Sequence, residues 1–382
     1  MPSRATKRGE DRTPLSGSYD VLICGASFAG LTVARELSKT SHPPARVLMI
    51  DRYEIGERQT SACAAPADWL RNLGLDAAIR QSFRDLVIHT PRRSFRWTLP
   101  WDFATFDYQR LCALLRAQSP GVEFETAKVE RREGDVVVTD RGELTAPLIV
   151  DALGWRRVLS NAPEPIQPPA ARLSRGLEVH PGAVRDDLEL WLDPRYVPAG
   201  YGWSFPAGDE VRVGIGSFDP HRKVKDPTVR LAADVGVESH GYQGNWIPHQ
   251  MRDPIEDGVF FVGDSAGHCI PATAEGIRTA FYFGLACGRE LRAVLDGRSS
   301  HVEAQARYRS FCEERRRVFD ALLNVQTLIG HVNPRPRAMT AVVRAMDNRR
   351  FLDWSFGRYL RIAPPEFALH GSPRRVLHDS RA

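Results

Sequence analysis

The chain has 382 residues, a hydrophobic content of 42%, a charged content of 26% and a formal net charge of +5. Its length predicts about two domains, and its composition is that of a globular protein able to bury a core without disulfides or metals. It has no nucleic-acid-binding motif, no apolar run as long as the roughly 18 residues of a membrane span, and no cysteines at zinc-like spacing. Nucleic-acid binding, membrane spanning and a metal site are therefore not expected.

Both ends of the chain are polar. Residues 1–18 are rich in Arg, Lys, Ser and Gly and lack the apolar core of a secretory signal, and residues 371–382 have a similar composition. Both segments are predicted to be disordered tails. A reducing cytoplasm, with mostly free thiols at the six cysteines, is the expected location.

Between these ends, short apolar runs alternate with helical patterns. Apolar spacing from Leu31 to Leu37 predicts a first helix, and a long amphipathic helix is predicted over residues 303–329. Four prolines in residues 163–169 predict a linker. Strands are predicted at residues 19–25, 47–50, 136–138, 148–150, 188–192, 202–205, 211–215 and 260–262.

The string GASFAG at residues 25–30 follows the first predicted strand and opens the first helix. Gly25 can take a tight turn, Gly30 lets helix and strand pack closely, and Ser27 is small enough to admit a phosphate. The helix N-terminus then offers free N–H groups and a positive dipole to a pyrophosphate. Asp51 closes the second strand 21 residues after Gly30, where a carboxylate accepts hydrogen bonds from a ribose. This arrangement predicts a dinucleotide site.

Residues 259–277, VFFVGDSAGHCIPATAEGI, resemble the second flavin motif of proteins with the para-hydroxybenzoate hydroxylase fold. The resemblance implies that Asp264, after Gly263, contacts the ribityl chain and pyrophosphate of FAD. It also implies that Gly276 and Ile277 begin a helix whose N–H groups face the flavin. A helix N-terminus there would stabilise the negative charge of reduced flavin.

Residues 148–154, LIVDALG, resemble a further strand-and-turn motif of flavoproteins, with Leu153 where threonine is usual. The segment around Arg58 and Cys63 falls where the chain of this fold passes along the flavin. With FAD as cofactor, the predicted cofactor-binding residues are Gly25, Ser27, Ala29, Gly30, Asp51, Arg52, Arg58, Cys63, Gly154, Gly263, Asp264, Gly267, Gly276 and Ile277.

Within this fold the chain most resembles the geranylgeranyl reductase group. Residues 200–206, GYGWSFP, are similar to that group's aromatic-x-x-Trp-x-Phe-Pro pattern, and residues 271–277 to its Pro-x-x-Gly-Glu-Gly-Ile, with Ala274 replacing the first glycine. The resemblance implies that Tyr201, Trp203 and Phe205 form a substrate wall over the flavin. Ordinary core packing of these aromatic residues is the alternative interpretation.

The resemblance implies reduction of a carbon–carbon double bond in an isoprenoid-like, apolar substrate by reduced FAD. The second alkene carbon needs a proton, and the candidate catalytic residues are Cys63, a water near it, or His268. Each has a plainer alternative, because buried cysteines are usually inert and His268 can be a structural hydrogen-bonding group. The electron donor is left open, with NAD(P)H binding transiently as one candidate.

Two other classes remain open. An FAD-dependent monooxygenase acting on an aromatic or polyketide-like substrate shares the fold, although its typical Asp-Gly pair is absent because Ala152-Leu153 separates Asp151 from Gly154. A non-catalytic flavin- or lipid-binding protein is allowed by the altered Ser27, Leu153 and Ala274. Flavin halogenases need an essential lysine in the region after the first dinucleotide motif. A halogenase is therefore disfavoured, since no lysine lies between Asp51 and Lys128.

The predicted fold is α/β, with a Rossmann-like FAD-binding domain, a β-rich substrate domain and a helical C-terminal region. The FAD-binding domain is assigned to residues 19–90, 103–165 and 250–300, the substrate domain to 91–102 and 166–249, and the helical region to 301–370. Basic runs at residues 315–317 and 349–350 would suit anionic headgroups, so peripheral membrane contact is one hypothesis and a solvated charged face the other.

Overall fold

The computed structural model describes residues 13–39, 44–59, 61–161, 173–332 and 336–369, with the side chains of residues 330–336 left out. The predicted linker at 163–169, the tail at 371–382 and residues 1–12 of the N-terminal tail lie outside the described residues. Within the described residues, every helix is too short or too polar to traverse a lipid bilayer.

The strands bear out the β-rich runs read from the sequence. In chain order, the strands of the described residues are β1 (Gly17–Ser18), β2 (Val21–Cys24), β3 (Val47–Asp51), β4 (Ala64–Pro66), β5 (Ile79–His89), β6 (Ser94–Phe106), β7 (Val122–Thr126), β8 (Val129–Glu133), β9 (Val136–Thr139), β10 (Gly142–Thr145), β11 (Leu148–Asp151), β12 (Leu173–Val179), β13 (Leu188–Trp191), β14 (Gly200–Ala207), β15 (Glu210–Ser217), β16 (Gln243–Pro248), β17 (Ile255–Glu256) and β18 (Val259–Phe261).

Helices connect these strands and dominate the C-terminal part. In chain order they are α1 (Phe28–Leu37), α2 (Ala67–Asn72), α3 (Tyr108–Ala117), α4 (Lys225–Asp234), α5 (Ile277–Leu295), α6 (His301–Val332), α7 (Pro336–Met346) and α8 (Arg349–Leu360). Short 3-10 helices occur at Asp76–Ala78, Gly263–Ala266 and Pro365–Leu369. The long helix predicted over residues 303–329 is confirmed as α6.

A six-stranded sheet has the order β17-β18-β11-β2-β3-β7, and its pairs are parallel except for β17 with β18. The strand β2, VLIC, is fully buried, as a parallel strand covered on both faces must be. On one side of β2 lies the next strand in the chain, β3, and on the other lies β11. The carboxyl end of β2 is therefore a topological switch point, where open α/β sheets bind ligands.

Helices α1 and α5 pack closely on this sheet because α5 has small residues at the contact. A Cβ added at Gly284 would lie 3.0 Å from the Cβ of Thr32, and one at Gly288 would lie 2.7 Å from that of Glu36. The buried carboxylate of Glu36 accepts from Lys39 and forms an ion pair with Arg292 at 3.3 Å. The two helices that follow the first and second flavin motifs are thus fixed side by side.

The largest sheet has eight strands, in the order β16-β12-β15-β14-β13-β5-β6-β4. The hairpin of β5 and β6 supplies two of its strands, and β13 pairs with β5 in parallel. Helices α7 and α8 cover an apolar cluster on this sheet through Val343 and Leu352. The proposed domain boundary at residues 90 and 91 falls in the turn of the β5–β6 hairpin.

A small four-stranded sheet, in the order β1-β10-β9-β8, lies beside the six-stranded sheet. Strand β1 pairs with β10 in parallel, and the buried Leu15 donates its amide to the carbonyl of Arg141 at 2.8 Å. The prediction of a disordered tail over residues 1–18 is therefore wrong for residues 13–18. Residues 13–18 are ordered because Leu15 anchors them in a core that the polar composition around it concealed.

Candidate functional site

The predicted flavin motifs meet at the carboxyl end of the six-stranded sheet. The amide of Ala152, which follows β11, donates to the carbonyl of Cys24 at 2.7 Å, and the amide of Val262, which follows β18, donates to that of Asp151 at 3.0 Å. The three strands therefore end together at the switch point. A Cβ on Gly154 would meet nothing within 4 Å, so this turn borders open space.

Gly25 and Gly30 are required by backbone contacts. Gly25 has φ +111°, and a Cβ there would lie 2.2 Å from the carbonyl oxygen of Ala152. A Cβ at Gly30 would lie 1.9 Å from the carbonyl oxygen of Gly25. Ser27 caps α1 in an extended conformation without using its side chain as the cap. The first-turn N–H groups, including that of Ala29, are therefore available to an anion.

Asp51 lies at the end of β3 beside this turn. Its carboxylate accepts hydrogen bonds from the amide of Ala26 at 2.8 Å and from that of Tyr53 at 3.0 Å, while burial raises its pKa. The predicted Arg52 and Arg58 are exposed and lie over the Tyr53 ring at 4.8 and 5.3 Å. The end of β3 thus brings Asp51 against the turn that opens α1, and the two arginines are exposed beside it.

The second motif reaches the same place. A Cβ at Gly263 would lie 3.0 Å from the Cβ of Ala29, so Gly263 touches the first turn of α1. Asp264, which follows Gly263 in the chain, has a half-buried carboxylate. Burial raises the pKa of this carboxyl group to about 6, although the positive charge of Arg252 lowers it. The Asp264 Oδ1 lies 3.6 Å from the point that a Cβ on Gly276 would occupy.

Residues 271–276, which we call the flavin loop, lead into α5. Gly276 is the N-cap of that helix, with no side-chain cap, and Ile277 begins it. The 3-10 helix before the loop ends at Ala266 and is capped by Gly267, with φ +69°, where a Cβ would lie 1.9 Å from the carbonyl oxygen of Gln250. The N–H groups in the first turn of α5 therefore have no side-chain cap, and they lie beside Asp264.

His268 has a structural environment. Its Nδ1 accepts a hydrogen bond from the amide of Gly263 at 3.2 Å, and its ring stacks on Phe283 with centroids 3.7 Å apart. The ring is fully buried, and burial lowers its pKa to about 3. A neutral histidine that accepts a backbone hydrogen bond holds the turn at Gly263, and this geometry favours the structural interpretation over acid catalysis.

Cys63 is fully buried, and its φ of +51° is a backbone conformation that residues other than glycine rarely adopt. Burial raises the pKa of its thiol well above the usual range, so the thiol stays protonated. The Cys63 carbonyl accepts from the amide of Phe106 at 3.0 Å and from the Arg212 guanidinium at 3.2 Å. Unusual backbone conformations held by their surroundings cluster at functional sites.

Tyr201, Trp203 and Phe205 alternate along β14 and therefore share one face of the eight-stranded sheet. Their ring centroids are 6.0 Å apart for the first pair and 6.5 Å for the second. Trp203 is buried against Gly214 of the neighbouring strand, where a Cβ would lie 2.3 Å from the indole, and it donates to Glu178 at 3.1 Å. The Tyr201 hydroxyl donates to the carbonyl of Thr273 in the flavin loop.

Three residues of this site were not among the predicted site residues. Arg212 is buried and joins the Cys63 loop to β15, Arg252 donates to the carbonyl of Trp155 at 3.1 Å near Asp264, and Cys269 has its Sγ 3.5 Å from a Cβ built on Gly276. Cys269 lies next to His268 in the motif, so its place could have been anticipated. The two arginines act through long-range contacts that leave no local signature.

The residues present fit an FAD molecule. Uncapped amides of α1 suit its pyrophosphate, Asp51 a ribose, Asp264 the ribityl chain, and the N-terminus of α5 the flavin ring. The open space at Gly154 lies at the same end of the sheet. When bound, FAD would supply two-electron redox chemistry that no side chain of the site offers.

Curated relatives agree with this assignment, although no protein-family model matches the chain. A geranylgeranyl diphosphate reductase of Rhodobacter capsulatus is 26% identical over 87% of this chain and 90% of its own length. A digeranylgeranylglycerophospholipid reductase of Methanosphaera stadtmanae is 26% identical over 77% of this chain and 82% of its own. The similarity therefore extends over most of each protein.

Solved structures show the same fold. A geranylgeranyl bacteriochlorophyll reductase-like protein of Thermoplasma acidophilum superposes with a TM-score of 0.76 and 18% identity, over 96% of this chain and 100% of the other. A probable FAD-dependent monooxygenase of Pseudomonas aeruginosa gives a TM-score of 0.64 and 20% identity, over 86% and 100%. The chain therefore has the para-hydroxybenzoate hydroxylase fold, and its sequence is similar to that of geranylgeranyl reductases over most of its length, which together identify it as an FAD-dependent oxidoreductase.

Proposed function

We propose that the protein reduces a carbon–carbon double bond of an isoprenoid-like, apolar substrate with reduced FAD. The observation that carries this proposal is the contact between the aromatic face of β14 and the flavin loop, made by Tyr201 and Thr273. An apolar wall joined to the flavin site suits a substrate that has no polar group near the reacting carbons. The relatives named as isoprenoid reductases support the same substrate class.

The surroundings of this face extend the apolar surface. Side chains from the sheet and from α7 and α8 form one hydrophobic cluster, and Phe205 packs on it with its ring 6.5 Å from that of Phe103. Its partly buried members include Phe103, Leu190, Phe205, Met346, Phe356 and Tyr359. A long hydrocarbon chain would gain about 25 cal/mol per Å² of apolar surface that it removes from water.

Reduced FAD would supply a hydride, with both electrons, to one alkene carbon, and a proton must reach the other carbon. Cys63 is the proposed donor, because its thiol is protonated and the Arg212 guanidinium ties its loop to β15. A water near Cys63 is the alternative donor. The buried, hydrogen-bonded His268 is not assigned this role.

The proposal is tested by anaerobic incubation of the FAD-loaded protein with dithionite and geranylgeranyl diphosphate, the substrate named for the Rhodobacter capsulatus relative. Mass spectrometry should show products that have gained two hydrogens for each double bond reduced. Asp264→Ala, depleted of FAD, provides the control. Unchanged substrate with reduced, active flavin present would count against this substrate class.

NAD(P)H is the proposed physiological reductant of the bound FAD, through transient binding. Anaerobic mixing of the oxidised protein with NADPH, and separately with NADH, should bleach the flavin absorbance within the time of turnover. Reduction by dithionite alone, with neither nucleotide effective, would point to a protein electron donor instead.

A peripheral contact with anionic membrane is proposed for the outer surface of α8. Leu352 is buried against the sheet, whereas Phe351 is 38% exposed and Trp354 is 55% exposed, with their rings 5.9 Å apart. Arg350 is exposed beside them and Arg358 lies over the Trp354 ring. Exposed aromatic rings interleaved with arginine are typical of interfacial helices.

Co-sedimentation with vesicles tests this contact. The protein should bind vesicles that contain phosphatidylglycerol, and Phe351→Ser with Trp354→Ser should abolish binding. Val184→Ser, at a valine that is 77% exposed elsewhere, is the matched control. Equal binding by both variants would refute a role for α8.

A further inference from the structure

The flavin loop contains two alanines in the left-handed region of backbone conformation. Ala272 has φ +67° and Ala274 has φ +53°. Such a conformation is unfavourable for a residue with a side chain, and it persists only where the surroundings impose it. The shape of this loop is therefore set by contacts from outside it.

Three elements provide these contacts. The side-chain oxygen of Gln326, on α6, accepts from the amide of Ala272 at 2.7 Å. The Tyr201 hydroxyl, on β14, donates to the carbonyl of Thr273. Tyr359, on α8, contacts the side chains of the two residues that flank Ala274.

The phenol of Tyr359 joins two loop residues. Its hydroxyl donates to the Glu275 carboxylate, and the hydroxyl of Thr273 lies 2.7 Å from the phenol oxygen. Burial raises the pKa of the Tyr359 phenol well above its usual value, so the proton needed for donation to Glu275 stays in place. Tyr359 therefore bridges the stretch that contains the strained Ala274.

The same residue reaches the first turn of α5 through Arg278. The Arg278 guanidinium stacks over the Tyr359 ring at 4.4 Å, and its Nε lies 2.6 Å from Glu275 Oε1. It also donates to the carbonyls of Tyr359 and Leu360, each at 3.0 Å. The C-terminal end of α8 and the N-terminal turn of α5 are thus held as one unit.

We propose that Tyr359 is a positioning residue that holds the flavin loop and the N-terminus of α5 in the geometry that stabilises reduced FAD. The proposal rests on the FAD site of the proposed function, but not on the identity of the substrate. A helix N-terminus stabilises negative charge only within its first turn, so small displacements of the loop should change how tightly the reduced cofactor is held relative to the oxidised one. Tyr359 is well placed for this role because α8 also covers the apolar cluster of the sheet.

The experiment is a measurement of the flavin midpoint potential and of FAD dissociation for Tyr359→Phe, which removes the hydroxyl and keeps the ring over Arg278. Affinity for reduced relative to oxidised FAD should fall three- to tenfold, giving a more negative potential; tenfold corresponds to about 30 mV for a two-electron couple. Tyr196→Phe removes a phenol that donates to Asp234, away from the flavin loop, and should leave the potential unchanged.

Thr273→Val provides a second route if the first variant folds poorly. It removes the other hydroxyl of the bridge, so it should shift the potential in the same direction, and the double variant should shift it by less than the sum of the two. Wild-type potential in both single variants, with full FAD occupancy, would overturn the proposal, as would a wild-type chain that binds no FAD. Failure of isoprenoid reduction with these shifts present would instead contradict only the proposed function.

Discussion

Arg212 donates a hydrogen bond to the carbonyl oxygen of Cys63 at 3.2 Å, and a second one to that of Ala62 at 2.8 Å. The guanidinium is buried and also pairs with Glu210 at 2.7 Å. Through these bonds, the eight-stranded sheet fixes a loop whose backbone at Cys63 adopts the left-handed conformation. The position of the thiol thus depends on a residue 149 positions away in the chain.

Replacing Arg212 should release that loop. Arg212→Met leaves two carbonyls without their charged donor, so the free energy of unfolding should fall by about 3 kcal/mol, a typical cost for hydrogen bonds to a charged group. Urea unfolding of the FAD-free protein measures this change. Arg212→Lys keeps the charge without the fork of donors and should recover only part of the loss; full recovery would show that charge alone matters.

The role of the Cys63 thiol can be tested separately from its backbone. Cys63→Ala should lower turnover about a hundredfold if the thiol supplies the proton, within the usual range for general acids, and should leave FAD occupancy unchanged. Cys63→Gly should show the same loss of turnover while relieving the strain at φ +51°. Wild-type turnover in Cys63→Ala would leave this residue as packing and favour water as the donor.

Asp264 should lower the free energy of unfolding of the FAD-free protein while strengthening the binding of FAD. Because burial raises its pKa from 3.8 to about 6 in the folded chain, the native state holds a proton between about pH 4 and 6 that the unfolded state has lost. Stability from this group therefore falls as pH rises through that window, and above it the ionised carboxylate costs up to about 3 kcal/mol.

Asp264→Asn should accordingly raise the unfolding free energy of the FAD-free protein at pH 7.5 by an amount of this order. The same change should weaken FAD retention, and Asp264→Ala should weaken it further. Unfolding curves and flavin absorbance after gel filtration provide the two readouts. Full flavin in Asp264→Ala would mean that the second flavin motif is misplaced.

Replacing Ala274 by glycine should stabilise the folded protein. At φ +53° the methyl group is strained, so Ala274→Gly should raise the free energy of unfolding by about 1 kcal/mol, despite the greater entropy of glycine in the unfolded chain. Ala233→Gly, at an exposed position of α4, should lower it by a similar amount because glycine disfavours helix. Losses of equal size in both variants would contradict the strain at Ala274.

His268 should affect the stability of the protein at acid pH, and it should not affect catalytic turnover. Its pKa is lowered from 6.5 to about 3 by burial, so between these pH values the unfolded state binds a proton that the native state does not. Its contribution is complete above pH 6.5 and falls by about 1.4 kcal/mol per pH unit as pH drops through the window. His268→Gln should remove this slope from acid unfolding and leave the pH dependence of turnover unchanged, whereas a shifted pH profile of turnover would support a catalytic role.

Local patterns were sufficient to predict the strand–turn–helix geometry at the proposed nucleotide end of the site. Gly25, Gly30 and Asp51 lie within one strand–helix–strand unit, where tight backbone contacts restrict residue type, and each lies where the spacing indicated. The strand runs and α6 could also be predicted, since their apolar periodicity reflects burial. Leu15 was missed because one buried leucine in a polar segment has no periodicity.

Contacts between distant segments could not be predicted. Arg212 reaches Cys63, and Tyr359 reaches Glu275 across 84 residues, and neither pair has a sequence spacing that marks it. The environment of His268 likewise depends on Phe283 packing against it, which only the folded chain shows. The resemblance implied that Cys63, His268 and the segment of Glu275 lie near a flavin, and the structure supplied the partners that fix them.

The most direct measurement of the central claim is the fate of the electrons in a single turnover without oxygen. The flavin is reduced anaerobically, mixed with geranylgeranyl diphosphate in a stopped-flow spectrometer, and followed by its absorbance before oxygen is admitted. If reduced FAD transfers hydride to the double bond, substrate alone restores oxidised FAD, with product that has gained two hydrogens for each flavin oxidised. A flavin that stays reduced until oxygen arrives, followed by a product carrying an oxygen atom, would contradict it and identify a monooxygenase.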